Sequence, residues 1–259
     1  MSRLIVKLKD KDSFVNKLKI GLALGLGVIF SVIYLRMIAV IGWIVVFGTG
    51  ATYEYVRLLA PKIAKNMTLS NSRNILFERI FDWKSNLVFG GTFIFAPLLL
   101  LAMIIGRSGW PWAIFIAGNC YLTDAGGAIF GKFIAPRWKG NLHKINEKIS
   151  PKKSWEALVF GGVTLALAGC AIIYFVMQYF HVPKTLIPSP FWLFVVIPIG
   201  SGFATIGDMA ESFIKRLADV KDSSRVLGTH GGFFDRTDSL LGISYVYIAI
   251  YILRTFNKI

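Results

Sequence analysis

The chain contains a series of long apolar runs, and most of them approach the roughly 20 residues that a helix needs to cross a bilayer. Hydrophobic residues make up 55% of its 259 residues. Lipid offers no hydrogen-bond partners to an open backbone, so such runs must be helical. We therefore predict an all-α, polytopic integral membrane bundle of about seven transmembrane helices, with spans at roughly 20–35, 37–53, 86–106, 111–130, 157–180, 191–207 and 239–253.

The first run follows a basic segment and could be taken for a secretion signal. No small-residue cleavage site follows it, and Arg36 leads directly into the next apolar run. We therefore expect a retained helix. Without a linker or an obvious repeat, the simplest organisation is one membrane domain over residues 1–259.

The formal net charge of +15 is distributed unevenly between the two sides of the predicted bundle. An N-terminus on the cytoplasmic side would place most basic residues in cytoplasmic segments. The exceptions would be Arg36, Arg107, Lys184, Arg254 and Lys258. This asymmetry follows the positive-inside rule, so the positive charge is explained by the orientation of the chain in the membrane. We therefore expect no nucleic-acid partner.

A polar stripe begins where the sixth predicted span ends. Its residues are spaced to fall on one face of a helix, and they are Asp208, Glu211, Ser212, Lys215, Asp219 and Asp222. We expect the span to continue as an amphipathic helix whose stripe faces a cleft. The alternative is a solvated face that a Glu211–Lys215 pair stabilises.

A second polar segment precedes the seventh span. Gly231 and Gly232 would let backbone amides approach a phosphate, although a plain turn at His230 explains the same residues. Asp235 could bind a ligand or cap the helix. Asp238 lies one turn further into the span, where an ionisable group indicates function.

Carboxylates at the ends of neighbouring spans are suited to Mg²⁺, which prefers oxygen ligands together with substrate phosphates. Lys215, Arg216 and Arg236 could bind the remaining phosphate charge. The set favours phosphoryl or nucleotidyl transfer, which depends on positioning and charge neutralisation.

Two further features belong to the same face. Asp124 is an additional acid in an apolar setting, and the glycines after it indicate either close packing or a helix break. Lys152 and Lys153 stand beside an interfacial tryptophan, so they could anchor the helix or contact a lipid phosphate.

The motif Ser212-x-x-Lys215-Arg216, then Lys221-Asp222-Ser223, then His230-Gly231-Gly232-Phe233-x-Asp235-Arg236-x-Asp238 resembles the signature of phosphatidate cytidylyltransferases. The stretch Ser150-Pro-Lys-Lys-Ser-Trp-Glu156 and, more weakly, Tyr53-Glu54-Tyr55 are also similar to that family. The resemblance covers the C-terminal half well and the N-terminal half poorly.

The resemblance implies transfer of CMP from CTP to phosphatidate, giving CDP-diacylglycerol and pyrophosphate for phospholipid synthesis. It implies one or two Mg²⁺ ions, with a monovalent ion as an alternative, and an active site within 120–239 at the cytoplasmic face of a bacterial-type inner membrane. A homodimer is left open. The implied metal ligands are Asp208 and Asp235, with Asp124 as a third candidate. The implied catalytic residues are Ser212, Lys215, Arg216, Asp222 and Asp238, and the implied substrate-binding residues are Lys152, Lys153, Lys221, His230, Gly231, Gly232 and Arg236.

A transporter of ions or solutes with a charged cytoplasmic gate is the competing hypothesis. Asp124 and Asp208 would suit an ion path through the membrane. The clustering of charges at one face, with apolar span centres, favours the enzyme.

Overall fold

The computed structural model describes residues 27, 30–31, 34–35, 37–56, 88–224, 226–227 and 231–257. Within these ranges the chain is mostly helical. The α-helices are α1 (Met37–Glu54), α2 (Ala96–Ser108), α3 (Trp110–Ile129), α4 (Thr164–Tyr179), α5 (Pro190–Leu217) and α6 (Phe234–Asn257). π-helical turns at Gly91–Phe95 and Ala157–Val163 lead into α2 and α4. Another at Phe130–Ile134 follows α3 and precedes a 3₁₀ turn at Ala135–Arg137.

Among the described residues, four helical stretches are long and apolar enough to cross a membrane: Val88–Ser108, Trp110–Arg137, Ala157–Tyr179 and Leu193–Arg216. They coincide with the third to sixth predicted spans and confirm them as helices. Helices α1 and α6 occupy the second and seventh predicted spans. The predicted first span, and with it the expectation of a retained helix there, lies mostly outside the described residues.

Helix α3 runs through Asp124 without interruption, so the alternative of a helix break there is wrong. The glycines after Asp124 serve close packing instead. A side chain on Gly126 would collide with the backbone of Gly161, in the π-helical turn before α4. This contact holds α3 against the start of the fifth predicted span.

The expectation that α5 continues through Asp222 is also wrong, because α5 ends at Leu217. Asp219 adopts a left-handed conformation with φ of 52°. The Val220 N–H then donates to the carbonyl of Lys215 at 3.0 Å, which is the helix-ending hydrogen bond of a Schellman motif. The stripe is therefore helical from Asp208 to Lys215, and Asp222 belongs to the following loop.

A short antiparallel hairpin interrupts the otherwise all-α fold. Strand β1 (Lys144–Asn146) pairs with β2 (Ser150–Ser154). The side-chain oxygen of Asn146 accepts the backbone N–H groups of Lys148 and Ile149 at 3.0 and 3.2 Å. The turn is thus stabilised locally, as is typical of asparagine. The sequence analysis predicted no strands here, because both strands are short and mostly polar.

Helices α5 and α6 approach each other closely through glycine. A side chain on Gly207 would collide with the carbonyl of Asp238, and one on Gly242 would collide with the carbonyl of Phe203. Small residues permit this kind of backbone contact between membrane helices. The contact places Asp208, the residue after Gly207, next to Asp238.

Candidate active site

Three carboxylates meet where α5 and α6 touch. Asp208 and Glu211 lie three residues apart on α5, and Asp238 comes from α6. One carboxylate oxygen from each lies within 4.8 Å of the other two. Glu211 is 2% exposed, and its Oε1 accepts no hydrogen bond, while its Oε2 is paired with a lysine. The group therefore concentrates negative charge in a poorly hydrated place.

Two lysines approach this group from different sides. Lys153, on strand β2, forms an ion pair with Asp208. Lys215 lies one turn beyond Glu211 on α5, and its ammonium is 2.6 Å from Glu211 Oε2 and 2.8 Å from Asp235 Oδ1. Lys215 thus joins the carboxylate group to the first turn of α6.

Asp235 is held by protein donors rather than being part of the group of three. Its Oδ2 accepts the N–H and hydroxyl of Ser223 at 2.9 and 2.7 Å and the N–H of Gly232 at 2.8 Å. Its Oδ1 accepts from Lys215. The sequence paired Asp235 with Asp208, whereas the structure groups Asp208 with Glu211 and Asp238. Asp235 instead fixes the loop ahead of α6.

Gly231 and Gly232 bring the backbone close to carboxylates in the described geometry. Gly231 has a φ of 79°, which favours glycine. A side chain on Gly232 would collide with Glu54 and with the hydroxyl of Ser223. The Gly232 amide is directed at Asp235, so its described partner is a carboxylate.

The donor set fits a hard divalent cation. Together with Asp235, four carboxylates face the two ammonium groups of Lys153 and Lys215. The remaining negative charge is costly in a low-dielectric place unless a cation balances it. Oxygens of Asp208, Glu211 and Asp238 are the ligand type that Mg²⁺ selects, and Glu211 Oε1, which accepts no hydrogen bond, leaves acceptor capacity for it.

Two predicted residues contact this group at its margin. The hydroxyl of Ser212 is 3.5 Å from Asp208 Oδ1, at the limit of a hydrogen bond. Asp124, on α3, accepts a hydrogen bond from Ser239 Oγ at 3.2 Å, and Ser239 directly follows Asp238. Asp124 is therefore a neighbour of the site through α6, outside the group of three.

Five of the other predicted residues have exposed side chains: Lys152, Arg216, Lys221, Asp222 and Arg236. His230 lies outside the described residues. Their roles in substrate binding and catalysis stay predictions.

Two acidic residues at the site were missing from the predicted set. Glu211 was part of the polar stripe expected to face a cleft, with a surface pair to Lys215 as the alternative, but it was given no role in the site. Glu54 ends α1 and is 2% exposed, and its signal was the weak family resemblance of Tyr53-Glu54-Tyr55 at the end of an apolar run. Burial, which sequence spacing does not report, distinguishes both from surface acids.

A histidine–glutamate contact joins the two ends of the hairpin, just ahead of the π-helical turn that leads into α4. The ring Nδ1 of His143 is 2.6 Å from Glu156 Oε1, and the His143 N–H is 3.1 Å from both carboxylate oxygens. These hydrogen bonds from His143 lower the pKa of Glu156 to about 2. The contact anchors the strand that carries Lys153.

A neutral polar cluster lies deeper in the bundle, where α3 meets α5. The Ser201 hydroxyl lies 3.0 Å from Asn119 Oδ1 and 2.7 Å from Thr123 Oγ1. Thr123 also donates to the carbonyl of Asn119 at 2.6 Å. The three side chains are buried, so their hydrogen bonds tie the two helices together.

The chain is similar in sequence to known proteins. The profile of a family described as the Cytidylyltransferase family matches residues 85–255. The chain is similar to proteins named phosphatidate cytidylyltransferase. The match in Rickettsia conorii is 27% identical over 239 residues, in Rickettsia typhi 32% over 107, and in Bacillus subtilis 35% over 138.

The three alignments differ in extent. The match to the Rickettsia conorii protein covers 92% of this chain and 90% of that protein. The match to the Rickettsia typhi protein covers 41% of this chain, and the match to the Bacillus subtilis protein covers 53%. Each of these two covers 46% of the relative, so the chain spans about half the length of these relatives.

Proposed function

Since this chain belongs to the cytidylyltransferase family, we propose that it acts as a phosphatidate cytidylyltransferase. The reaction forms a bond between a phosphate oxygen of phosphatidate and the α-phosphorus of CTP. The bond from that phosphorus to the β-phosphate breaks, and pyrophosphate leaves. The products are CDP-diacylglycerol and pyrophosphate, and phosphorus and charge balance without an oxidant or reductant.

The observation that carries this proposal is the carboxylate group at the junction of α5 and α6. Asp208, Glu211 and Asp238 converge within 4.8 Å, next to Lys215, on helices that the family profile covers. A surplus of carboxylates over ammonium groups suits an enzyme whose substrates arrive as a metal–triphosphate complex. The family resemblance supplies CTP and phosphatidate as the substrates.

The same three carboxylates are the proposed Mg²⁺ ligands. Bound there, Mg²⁺ would neutralise phosphate charge and polarise the phosphoryl oxygens. Asp235 would act differently, because its oxygens are taken up by Lys215, Ser223 and Gly232. Its role in this proposal is to hold Lys215 and the loop in place.

The barrier to this reaction is repulsion between two anions, and the basic residues reduce it. Lys215, Arg216, Lys221 and Arg236 would bind the triphosphate, with His230 and the Gly231–Gly232 backbone closing around it. The attacking phosphate is anionic near neutral pH, so no strong general base is required. Catalysis then depends on positioning and electrostatic stabilisation.

The lipid would enter from the membrane side of the same cleft. Lys152 and Lys153, on strand β2, would orient the phosphatidate headgroup while the acyl chains remain in the bilayer. Asp124 is exposed on the surface of a spanning helix and would border this opening. We further propose about seven spans in total, a cytoplasmic N-terminus and a site at the cytoplasmic face, which the positive-inside asymmetry supports. A homodimer would be compatible with this arrangement.

The direct test incubates the purified protein in detergent with phosphatidate, Mg²⁺ and each of the four nucleoside triphosphates. We expect pyrophosphate release with CTP, formation of CDP-diacylglycerol in equal amount, and no release when phosphatidate is omitted. EDTA should stop the reaction. Pyrophosphate without a nucleotidyl lipid, or equal rates with all four nucleotides, would reject the proposed activity.

A further inference from the structure

Glu54 is a buried acid whose hydrogen bonds all lead to the segment in front of α6. Its Oε1 accepts the Ser224 hydroxyl at 2.7 Å and the Phe233 N–H at 3.0 Å. Its Oε2 lies 2.8 Å from the Ser223 hydroxyl and accepts the Phe234 N–H at 3.0 Å. One carboxylate from α1 thus holds two places in a segment about 170 residues away in sequence.

The amides of Phe233 and Phe234 lie at the N-terminus of α6, where the helix itself supplies no acceptor for them. Phe233 carries no side-chain acceptor that could cap them, so Glu54 provides the cap from another helix. A carboxylate at this position satisfies amides that the helix itself leaves open and interacts favourably with the helix dipole. Removal would leave buried donors without acceptors.

Aromatic packing attaches the same segment to α1. The Phe233 ring packs edge-on against Phe47 at a centroid distance of 5.4 Å, and Tyr55 approaches Phe234 at 6.1 Å. A side chain at Gly50 would collide with the Phe233 ring. The C-terminal half of α1 is therefore a platform on which α6 begins.

Ser223 connects Glu54 to the site. Its hydroxyl lies between two carboxylates, 2.8 Å from Glu54 Oε2 and 2.7 Å from Asp235 Oδ2. Asp235 in turn accepts from Lys215, which pairs with Glu211. A continuous chain of contacts therefore runs from α1 to the carboxylate group without Glu54 touching that group.

We propose that Glu54 is a positioning residue for the reaction, holding Ser223, Ser224 and the start of α6 at Phe233 and Phe234 against α1 so that Asp235, Lys215 and Asp238 keep their places. This inference rests on the proposed function. It adds an acid from outside the signature segment, on a helix that lies before the region matched by the family profile.

The experiment compares Glu54→Ala and Glu54→Gln with a matched loss of an exposed acid, Glu147→Ala, in the hairpin turn. The rate of amide hydrogen exchange in peptides covering 231–236 reports whether the Phe233 and Phe234 amides are protected. This measurement does not require catalytic turnover. Turnover is measured against Mg²⁺ concentration in the same preparations. Ser224→Ala removes one of the four contacts and serves if Glu54→Ala does not fold.

We expect Glu54→Ala to speed exchange at these amides at least tenfold, lower kcat at least tenfold and raise the Mg²⁺ concentration needed for half-maximal rate. Glu54→Gln keeps one acceptor oxygen and should recover part of each effect, and Ser224→Ala should show a smaller change in the same direction. Glu147→Ala should match the wild type in both readouts.

Two results would overturn the inference. Unchanged exchange in Glu54→Ala would show that Glu54 does not hold the segment. Faster exchange with unchanged kcat and Mg²⁺ dependence would show that the hydrogen bonds of Glu54 do not position the active-site residues. A wild-type protein without CTP turnover would refute the proposed function and the positioning role together, while the exchange data would still decide whether the contact stabilises the segment.

Discussion

Two polar regions lie along α5, about two helical turns apart, and they differ in how their polarity is balanced. At Ser201, hydroxyl and amide groups bond to one another across α3 and α5. At Asp208, carboxylates from α5 and α6 gather with too few lysines to balance them. Both are partly or fully removed from water, yet the first is neutral and its hydroxyls are hydrogen-bonded internally, whereas the second carries charge that the lysines do not balance.

The difference indicates separate roles for the two ends of α5. A neutral, hydrogen-bonded cluster stabilises helix packing and carries no charge that requires a counter-ion. A like-charged group is destabilising without a counter-ion, so its presence is explained by what it binds. Removing polar groups should therefore have opposite consequences in the two regions.

The largest expected effect is on turnover in the charged region. Asp238→Asn should lower kcat by on the order of 100-fold or more, because it removes a proposed ligand at the point of charge neutralisation. Its melting temperature in detergent without Mg²⁺ should stay the same or rise, since one like charge is gone.

Asp219→Asn is the matched control, because Asp219 is exposed and asparagine tolerates its left-handed conformation. This variant should leave kcat and the melting temperature unchanged. Near-wild-type turnover in Asp238→Asn would remove this carboxylate from the proposed metal site.

Neighbouring lysines on β2 sharpen the comparison within the site. Lys153 pairs with Asp208, whereas Lys152 is exposed on the same strand. Lys153→Gln should lower kcat by roughly tenfold or more, because it removes the ion pair with Asp208. Lys152→Gln should mainly raise the KM for phosphatidate. Steady-state kinetics with both substrates varied will separate the two. If both variants instead raised the KM for CTP to the same extent, strand β2 would bind the nucleotide rather than the lipid.

A moderate effect is expected in the neutral region, on stability alone. Ser201→Ala removes hydrogen bonds to Asn119 and Thr123, and such bonds between membrane helices contribute about 0.6–1.7 kcal/mol. Unfolding in detergent should show this loss, with kcat per folded molecule within about threefold of wild type.

Ser244→Ala provides the comparison, because the Ser244 hydroxyl donates within its own helix, to the carbonyl of Leu241. It should be less destabilising than Ser201→Ala. A large loss of turnover in Ser201→Ala at unchanged stability would place the neutral cluster in the active site.

The smallest effect concerns the contact that anchors the hairpin. Hydrogen bonds from His143 lower the pKa of Glu156 to about 2, so the stability they contribute is present above the ordinary value near 4.5. It is lost as the pH falls from there towards 2.

The melting temperatures of wild type and Glu156→Gln should therefore differ most above pH 5 and converge below it. Exposed Glu147→Gln should show no such gap at any pH. A gap that persists undiminished to pH 2 would contradict the assigned contact.

Much of the fold was predictable from the sequence, because span length and hydrophobicity act locally. The third and fifth spans were found within two residues, whereas the helices of the fourth and sixth spans continue seven and nine residues past the predicted ends. The stop of α5 at Leu217 was missed, since the stripe of polar residues continues past a left-handed Asp219 that periodicity does not reveal. The hairpin was missed because its strands are short and polar.

The site was predictable in its residue types and less so in its grouping. Asp208, Lys215 and Asp238 were all expected to act, but Asp235 was expected to share a metal with Asp208. Three local donors from Ser223 and Gly232 hold Asp235 instead. Glu54 was unassigned because its partners lie about 170 residues away.

The sequence by itself determined that this protein is a helical membrane protein with acids and bases concentrated at the ends of its last spans, because hydrophobic length and charge are properties of each segment alone. Only the tertiary structure decided which acids meet. Close packing of Gly207 and Gly242 brings Asp208 and Asp238 together, and Glu54 reaches α6 from α1. Such contacts depend on how distant helices pack, which no local pattern encodes.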